Sequence, residues 1–265
     1  MTAPSNKTQS AADALVQAHR TARQLDVEPF RLSGEDEAYQ VQALVADELG
    51  LQAGWKLGLN AEGRVVYAPL YAERTHRSPA TLSRQEFNRF LLESELAISF
   101  RQPLPPRAEP YSLAEVQAAA GFIHSAFEIV DTRFAAWPDV EPLWLLADGL
   151  SHGSFILGQG VELKDPQMLT HAAYELVVNG ELAQKDERAH PQPDPWDSIL
   201  QLANHLRAQE LGIGEGDVIT TGSFSGVTPL EPHQWAEVRF AGIGGCRLNL
   251  VECEGLPDKR KVSPS

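Results

Sequence analysis

Apolar and small residues recur at Ala11, Leu15, Ala18, Ala22 and Leu25, the spacing of one helical face, and predict a packing helix. A second helix is predicted from Ser33 as N-cap, with Ala38, Val41, Val45 and Leu49 on one face and a stop at Gly50. Apolar runs then predict strands at Ala53–Asn60, Phe90–Phe100 and Phe122–Phe134. Between the first two, residues 61–89 read as an irregular, solvated connection containing Arg74, His76, Arg77, Arg84 and Arg89. Four prolines between Arg101 and Pro110 rule out a central strand there, and Ser112-Leu-Ala-Glu115 has capping-box spacing for a short helix closed at Gly121. Further strands are predicted at 153–158, 173–178, 181–184, 217–226, 237–240 and 246–252, with Asn179-Gly180 as a hairpin turn and a helix from Trp196 to Leu206. Strands with interspersed helices and no regular βαβ alternation predict an α+β fold with a curved or closed sheet. Residues 1–52 form its helical N-terminal region, 53–255 the main domain and 256–265 a flexible tail; Thr2–Ser10 is expected to fray.

Twenty-two Lys and Arg against thirty-six Asp and Glu give a formal charge of −14, which disfavours nucleic acid as a partner. No run approaches the roughly 18–20 apolar residues of a membrane span, and the N-terminus lacks the apolar core of a signal peptide, so a cytoplasmic protein is expected. Cys246 and Cys253 lie too far apart along a strand for a disulfide and form no CxxC pair for zinc.

The chemistry concentrates in the strand at Phe90–Phe100. Glu93 and Glu95, two residues apart, project to one face of an otherwise apolar run and would raise each other's pKa unless a cation lies between them. Glu128, between Phe127 and Ile129, is a third acid in an apolar strand. All-oxygen ligation suits Mg²⁺ or Mn²⁺, while pairing with Arg or Lys is the alternative the pattern leaves open. Lys56, flanked by Trp55 and Leu57, either reaches the surface or serves as a carboxylate-paired ammonium in a site.

The segments Gly54-Trp-Lys-Leu-Gly-Leu59, Glu93-Ser-Glu95, Ala126-Phe-Glu-Ile-Val-Asp-Thr-Arg133, Ala147-Asp148 with Ser151 and Gly153, Leu202-Ala-Asn204 and Thr221-Gly-Ser223 occur in the order found in a known family. The chain resembles the 2-keto-4-pentenoate hydratases and 4-oxalocrotonate decarboxylases of the fumarylacetoacetase superfamily over residues 10–250. The resemblance implies a helical N-terminal lobe followed by a mixed β-sandwich or roll of the fumarylacetoacetase C-terminal type. It also implies that Glu93, Glu95 and Glu128 hold one Mg²⁺ or Mn²⁺, which takes the carboxylate and 2-oxo or 2-enol oxygen of a small 2-oxo acid. Lys56 is then an acid/base or electrostatic group, Thr221, Gly222, Ser223 and Ser151 bind substrate, and Asp131, Arg133 and Asp148 support the site, Asp131 and Arg133 from the strand face opposite Glu128. A homo-oligomer, associated with a partner enzyme of its pathway, is the implied assembly. Two departures stand out. Val66 occupies the position of the acid that hydratases carry after the lysine strand, and Asp-Asn-x-Ser-Ser-Gly becomes Asp148-Gly-Leu-Ser-His-Gly153. His152 thereby becomes a candidate catalytic base. The expected activity is a hydratase on 2-hydroxypenta-2,4-dienoate-like acids from aromatic ring cleavage, with a decarboxylase as the alternative and a non-catalytic binding subunit as the reading from another class.

Overall fold

The computed structural model describes residues 5–26, 28, 31–50 and 52–252. Two helices come first, α1 (Asn6–Thr21) and α2 (Glu35–Leu49), followed by strands β1 (Gln52–Leu59), β2 (Val65–Tyr71), β3 (Thr75–Arg77), β4 (Ala80–Ser83) and β5 (Leu91–Phe100). Then come α3 (Leu113–Ala119), β6 (Ala120–Val130), α4 (Pro142–Ala147), β7 (His152–Leu157), β8 (Val161–Glu162), β9 (His171–Val178) and β10 (Glu181–Ala189). The chain continues with α5 (Pro195–Ala208), β11 (Val218–Ser223), β12 (Thr228–Pro229), β13 (Trp235–Phe240) and β14 (Gly244–Val251).

These elements make a mixed α/β fold with two mixed sheets and few helices. The larger sheet runs β2-β1-β11-β5-β6-β7-β3, with β12 added to β5 and β8 to β6; the smaller runs β10-β9-β13-β14-β4. The main apolar core lies between them and takes residues from both, among them Leu92, Leu96 and Phe127 from the larger sheet and Leu176, Val238 and Leu248 from the smaller. A second apolar cluster joins α1 and α2 to α4 through Leu15, Val41, Phe134 and Trp144. No helix among the described residues is long and apolar enough to cross a membrane.

Several local expectations need correction. Residues 61–89 contain three strands rather than an irregular connection. β2 alternates weakly because it is buried on both faces, and its Pro69 is tolerated at the edge of the sheet. Two arginines of this segment are held as well: Arg84 donates to the Phe87 carbonyl at 2.6 Å, and the Arg89 backbone donates to Asp131 at 2.8 Å. The expected fraying up to Ser10 does not hold from Ser5 onward, because the Ser5 side chain caps α1 by accepting from the Thr8 N–H. Gly34, not Ser33, caps α2; Ser33 instead donates its N–H and hydroxyl to Glu37, both at 2.7 Å. The strand carrying Glu128 ends at Val130, so Asp131 and Arg133 lie beyond it rather than on its opposite face. α4 escaped sequence reading because Pro142-Leu-Trp-Leu-Leu-Ala147 is too short and too uniformly apolar to show a helical period. Cys246 is a buried free thiol, while Cys253 and the tail from residue 256 fall outside the described residues.

Gly54 sets the spacing of β1 and β11. Its φ is +153°, and a Cβ there would lie 1.9 Å from the Val218 carbonyl oxygen, on the parallel partner strand. Gly54→Ala is therefore expected to cost about 3 kcal/mol or more of unfolding free energy in urea titrations. Because Lys56 lies two residues away, the same variant should lose activity out of proportion to its folded fraction.

Candidate metal centre

Strand register builds the centre. Glu93 on β5 lies directly opposite Glu128 on β6, and Glu95 two residues on points to the same face. β11 flanks β5 on its other side, with Ser223 opposite Glu95 and an irregularity between Thr220 and Ser223 that re-aims the strand end. β1 pairs parallel to β11 and sets Lys56 opposite Thr220. Four neighbouring strands thus bring an ammonium and three carboxylates to one face.

The carboxylate oxygens of Glu93, Glu95 and Glu128 lie within 4.8 Å of one another. Lys56 Nζ donates to Glu128 Oε1 at 2.5 Å and to the Leu150 carbonyl at 2.9 Å. His152 Nδ1 lies 3.2 Å from the same Glu128 oxygen, and the Thr220 hydroxyl donates to Glu95. The Leu150 carbonyl is aimed by an unusual turn in which Gly149, Leu150 and Ser151 all have positive φ, at 65°, 55° and 58°. Two of these three are not glycine, a strain that persists only where surrounding contacts enforce it.

The electrostatics are unbalanced. Burial, then repulsion from Glu128, pushes the Glu93 carboxyl upward against the pull of Lys56. Glu95 lies deeper, and burial with repulsion from Glu128 and Glu93 takes it well above the ordinary carboxylate range. Glu128 goes the other way: burial would raise it, but the Lys56 ammonium and the hydrogen bond from His152 outweigh that cost. Burial likewise opposes the Lys56 charge, yet Glu128 and Glu93 hold its pKa above the ordinary lysine value. Burial lowers the His152 pKa below the ordinary histidine value, against the hydrogen bond and charge of Glu128. Among the described residues, three carboxylates therefore face one ammonium, and Glu128 Oε2 is buried with no hydrogen-bond partner. A divalent cation with oxygen preference matches both the two missing positive charges and the orphaned oxygen. The donor set fits Mg²⁺ or Mn²⁺.

Around the centre, Ser223 hydrogen-bonds Glu93, and Gly222 adopts φ +116° at the end of β11. Thr221 is fully buried on the other face, where its hydroxyl donates to the Leu96 carbonyl at 3.2 Å and accepts from His190 Nε2 at 2.8 Å. Ser151 accepts the Asp131 N–H through its carbonyl at 2.9 Å. Arg133 and Asp148 form a buried two-point pair at 2.6 and 2.9 Å, with Asp131 3.6 Å from the same guanidinium. This cluster holds α4 and the 149–151 turn against the end of β6.

Sequence reading missed Thr220, the Leu150 carbonyl and His190. Thr220 had a readable signal, since it is the strand neighbour of Thr221 and must face the opposite way. His190 had none. Its Nδ1 accepts from the Gln192 N–H at 3.0 Å, so Nε2 carries the proton given to Thr221. Burial lowers its pKa from 6.5 to about 4. The unfolded chain therefore takes up a proton below pH 6.5 that the folded chain refuses until about pH 4. Stability is expected to fall as pH drops through that window, by about 3 kcal/mol at full extent. Urea midpoints measured from pH 7.5 to 4 should show a smaller acid loss in His190→Gln than in the wild type.

Fold and centre together define a two-sheet α/β protein with a buried, lysine-flanked carboxylate site of the metal-binding kind. The chain belongs to the fumarylacetoacetate (FAA) hydrolase C-terminal family, whose profile matches residues 64–251. Among relatives, it is 26% identical over 161 residues to a 2-keto-4-pentenoate hydratase of Burkholderia vietnamiensis, covering 61% of this chain and 60% of the hydratase. It is 27% identical over 150 residues to a 4-oxalocrotonate decarboxylase of a Pseudomonas species, covering 56% of each. These matches span less than two thirds of the relatives' lengths. In fold, it superimposes on the 4-oxalocrotonate decarboxylase of Pseudomonas putida G7, solved with magnesium and adipate, with a TM-score of 0.81 at 20% identity, covering 92% of this chain and 97% of that one.

Proposed function

We propose that the chain is a divalent-metal-dependent lyase for short 2-oxo and 2-hydroxy-dienoic acids, acting as a hydratase on 2-hydroxypenta-2,4-dienoate-like substrates. The observation that carries this reading is the three-carboxylate centre, two positive charges short of balance, with a buried lysine at its edge. Glu93, Glu95 and Glu128 would hold Mg²⁺ or Mn²⁺, which supplies the positive charge that binds and polarises a 2-oxo acid. Lys56, charged and desolvated, stabilises negative charge developing on the substrate and is placed to exchange a proton with it. Ser223, the backbone of Thr221 and Gly222, and Ser151 position the substrate carboxylate, while Asp131, Arg133 and Asp148 fix the turn that aims Leu150 at Lys56.

His152 favours hydration over decarboxylation. Its Nδ1 faces the Glu128 carboxylate and so carries the proton, which leaves Nε2 as a buried lone pair with no partner among the described residues. That nitrogen can accept a hydrogen bond from water and orient it for addition to the substrate double bond. Val66 favours the second reading, a decarboxylase. It is buried at the position where the hydratase pattern has an acid, and decarboxylation needs no attacking water. In either case residues 53–255 would form the catalytic domain with the 1–52 helices against it, in a cytoplasmic homo-oligomer serving aromatic catabolism beside a pathway partner.

Incubation with Mg²⁺ or Mn²⁺ and 2-hydroxypenta-2,4-dienoate or 2-hydroxymuconate, followed by product identification, tests this. A 4-hydroxy-2-oxo acid is expected from the first. CO₂ release from the second without hydration would establish the decarboxylase, and no turnover of either would favour a binding subunit.

A further inference from the structure

Two residues at the end of β11 fall outside the regular ladder. β11 pairs with β5 at Thr220 opposite Ala97 and again at Ser223 opposite Glu95, so Thr221 and Gly222 together face the single residue Leu96. Gly222 takes φ +116° in this bulge. A directed series of hydrogen bonds stands in for the broken ladder. Nδ1 of His190 accepts the Gln192 N–H at 3.0 Å, so the proton of the neutral imidazole is on Nε2. Nε2 donates to the Thr221 hydroxyl at 2.8 Å, which leaves that hydroxyl to donate to the Leu96 carbonyl at 3.2 Å. His190 and Thr221 are both buried, where such bonds are not exchanged for water.

The segment that supplies His190 is built to face the bulge. It runs from the end of β10 to Asp194, the N-cap of α5. His190 and Gln192 are buried while Pro191 and Pro193 are exposed, the alternation of an extended segment whose prolines fix φ. The His190 N–H donates to the Thr170 carbonyl at 2.8 Å, and its ring meets Phe224 edge-on with centroids 5.1 Å apart. The Gln192 carboxamide lies beside Gly222, where a Cβ would be 3.7 Å from Nε2. One short segment thus touches both bulged residues. The metal centre is held by other means: Glu93 and Glu128 face each other in the regular β5–β6 ladder, and Glu95 accepts from Thr220.

We propose that His190 is a positioning residue for the substrate, acting through the Thr221 hydroxyl to fix the bulged Thr221–Gly222 backbone in the conformation that receives the substrate carboxylate. This role presupposes the reading above, in which that backbone binds a 2-oxo acid. Without the bond from His190, the Thr221 side chain is free to turn and the bulge loses its tie to the 190–194 segment. Substrate binding then weakens while the glutamates keep their places.

Calorimetric titrations of the intact chain, first with Mn²⁺ and then with 2-oxopentanoate at saturating Mn²⁺, test this. His190→Leu is expected to weaken 2-oxopentanoate binding about tenfold, the scale of one buried hydrogen bond lost with its partner left unpaired, and to keep Mn²⁺ affinity within about twofold. His190→Gln, which keeps a donor, should recover part of the loss. Thr221→Val is nearly isosteric and breaks the same bond from the other side, so it carries the test if His190→Leu does not fold. It should match His190→Leu, and the double variant should bind no more weakly than either single one. Unchanged acid affinity in these variants, a parallel fall in Mn²⁺ and acid affinity, or losses that add in the double variant overturn the inference alone. Failure of 2-oxopentanoate to bind the Mn²⁺-loaded wild type overturns the substrate reading together with it.

Discussion

Glu128→Gln is expected to weaken Mn²⁺ binding by at least about 100-fold, more than the loss of an outer-shell partner typically costs, and to abolish measurable turnover. The substitution is close to isosteric, so the loss would report charge and ligation rather than packing. Glu128 is the one acid of the three whose pKa is held down, because Lys56 and His152 both hydrogen-bond it. Its second oxygen, Oε2, has no hydrogen-bond partner among the described residues. An amide at this position would strand the Lys56 ammonium and remove the oxygen best prepared for a cation. Calorimetric titration of Mn²⁺ into the variant reads the effect directly. Affinity within a few-fold of the wild type would mean that Glu128 is not a ligand.

Lys56→Met should separate binding from chemistry. Among the described residues it removes the only ammonium within hydrogen-bonding reach of the carboxylates, and it leaves their mutual repulsion uncompensated. A divalent cation then has more negative charge to neutralise, so Mn²⁺ affinity is expected to hold or rise. Turnover is expected to fall by about 10²–10⁴, the range for a positioned acid/base group. Without metal, the variant should also lose about 3 kcal/mol of stability, because breaking a buried ion pair leaves Glu128 uncompensated. Loss of metal affinity parallel to turnover would instead make Lys56 a structural support of the centre.

The contrast between these variants reflects what the residues themselves made legible. Glu93 and Glu95 were readable because strand geometry fixes i and i+2 on one face, and an apolar setting makes the pair costly without a cation. Glu128 was readable as a buried acid, but not its position: only the β5–β6 register puts it opposite Glu93. The family resemblance supplied that link. Thr220 was legible in principle from strand alternation. His190 lies 31 residues from Thr221, and no local pattern announces that the two meet. The strands between 61 and 89 were hidden for a related reason. β2 is buried on both faces by its partners, and β3 and β4 exist through pairing with β7 and β14, far along the chain. The buried Arg133–Asp148 pair, likewise, depends on where the end of β6 meets α4.

The central claim is that one divalent cation sits among Glu93, Glu95 and Glu128. Anomalous diffraction at the manganese edge, on crystals grown with Mn²⁺, tests it most directly. The account predicts a single strong peak per chain within coordination distance of carboxylate oxygens from all three residues. A difference map without a peak among these three glutamates, in crystals where Mn²⁺ binds elsewhere or not at all, would contradict it.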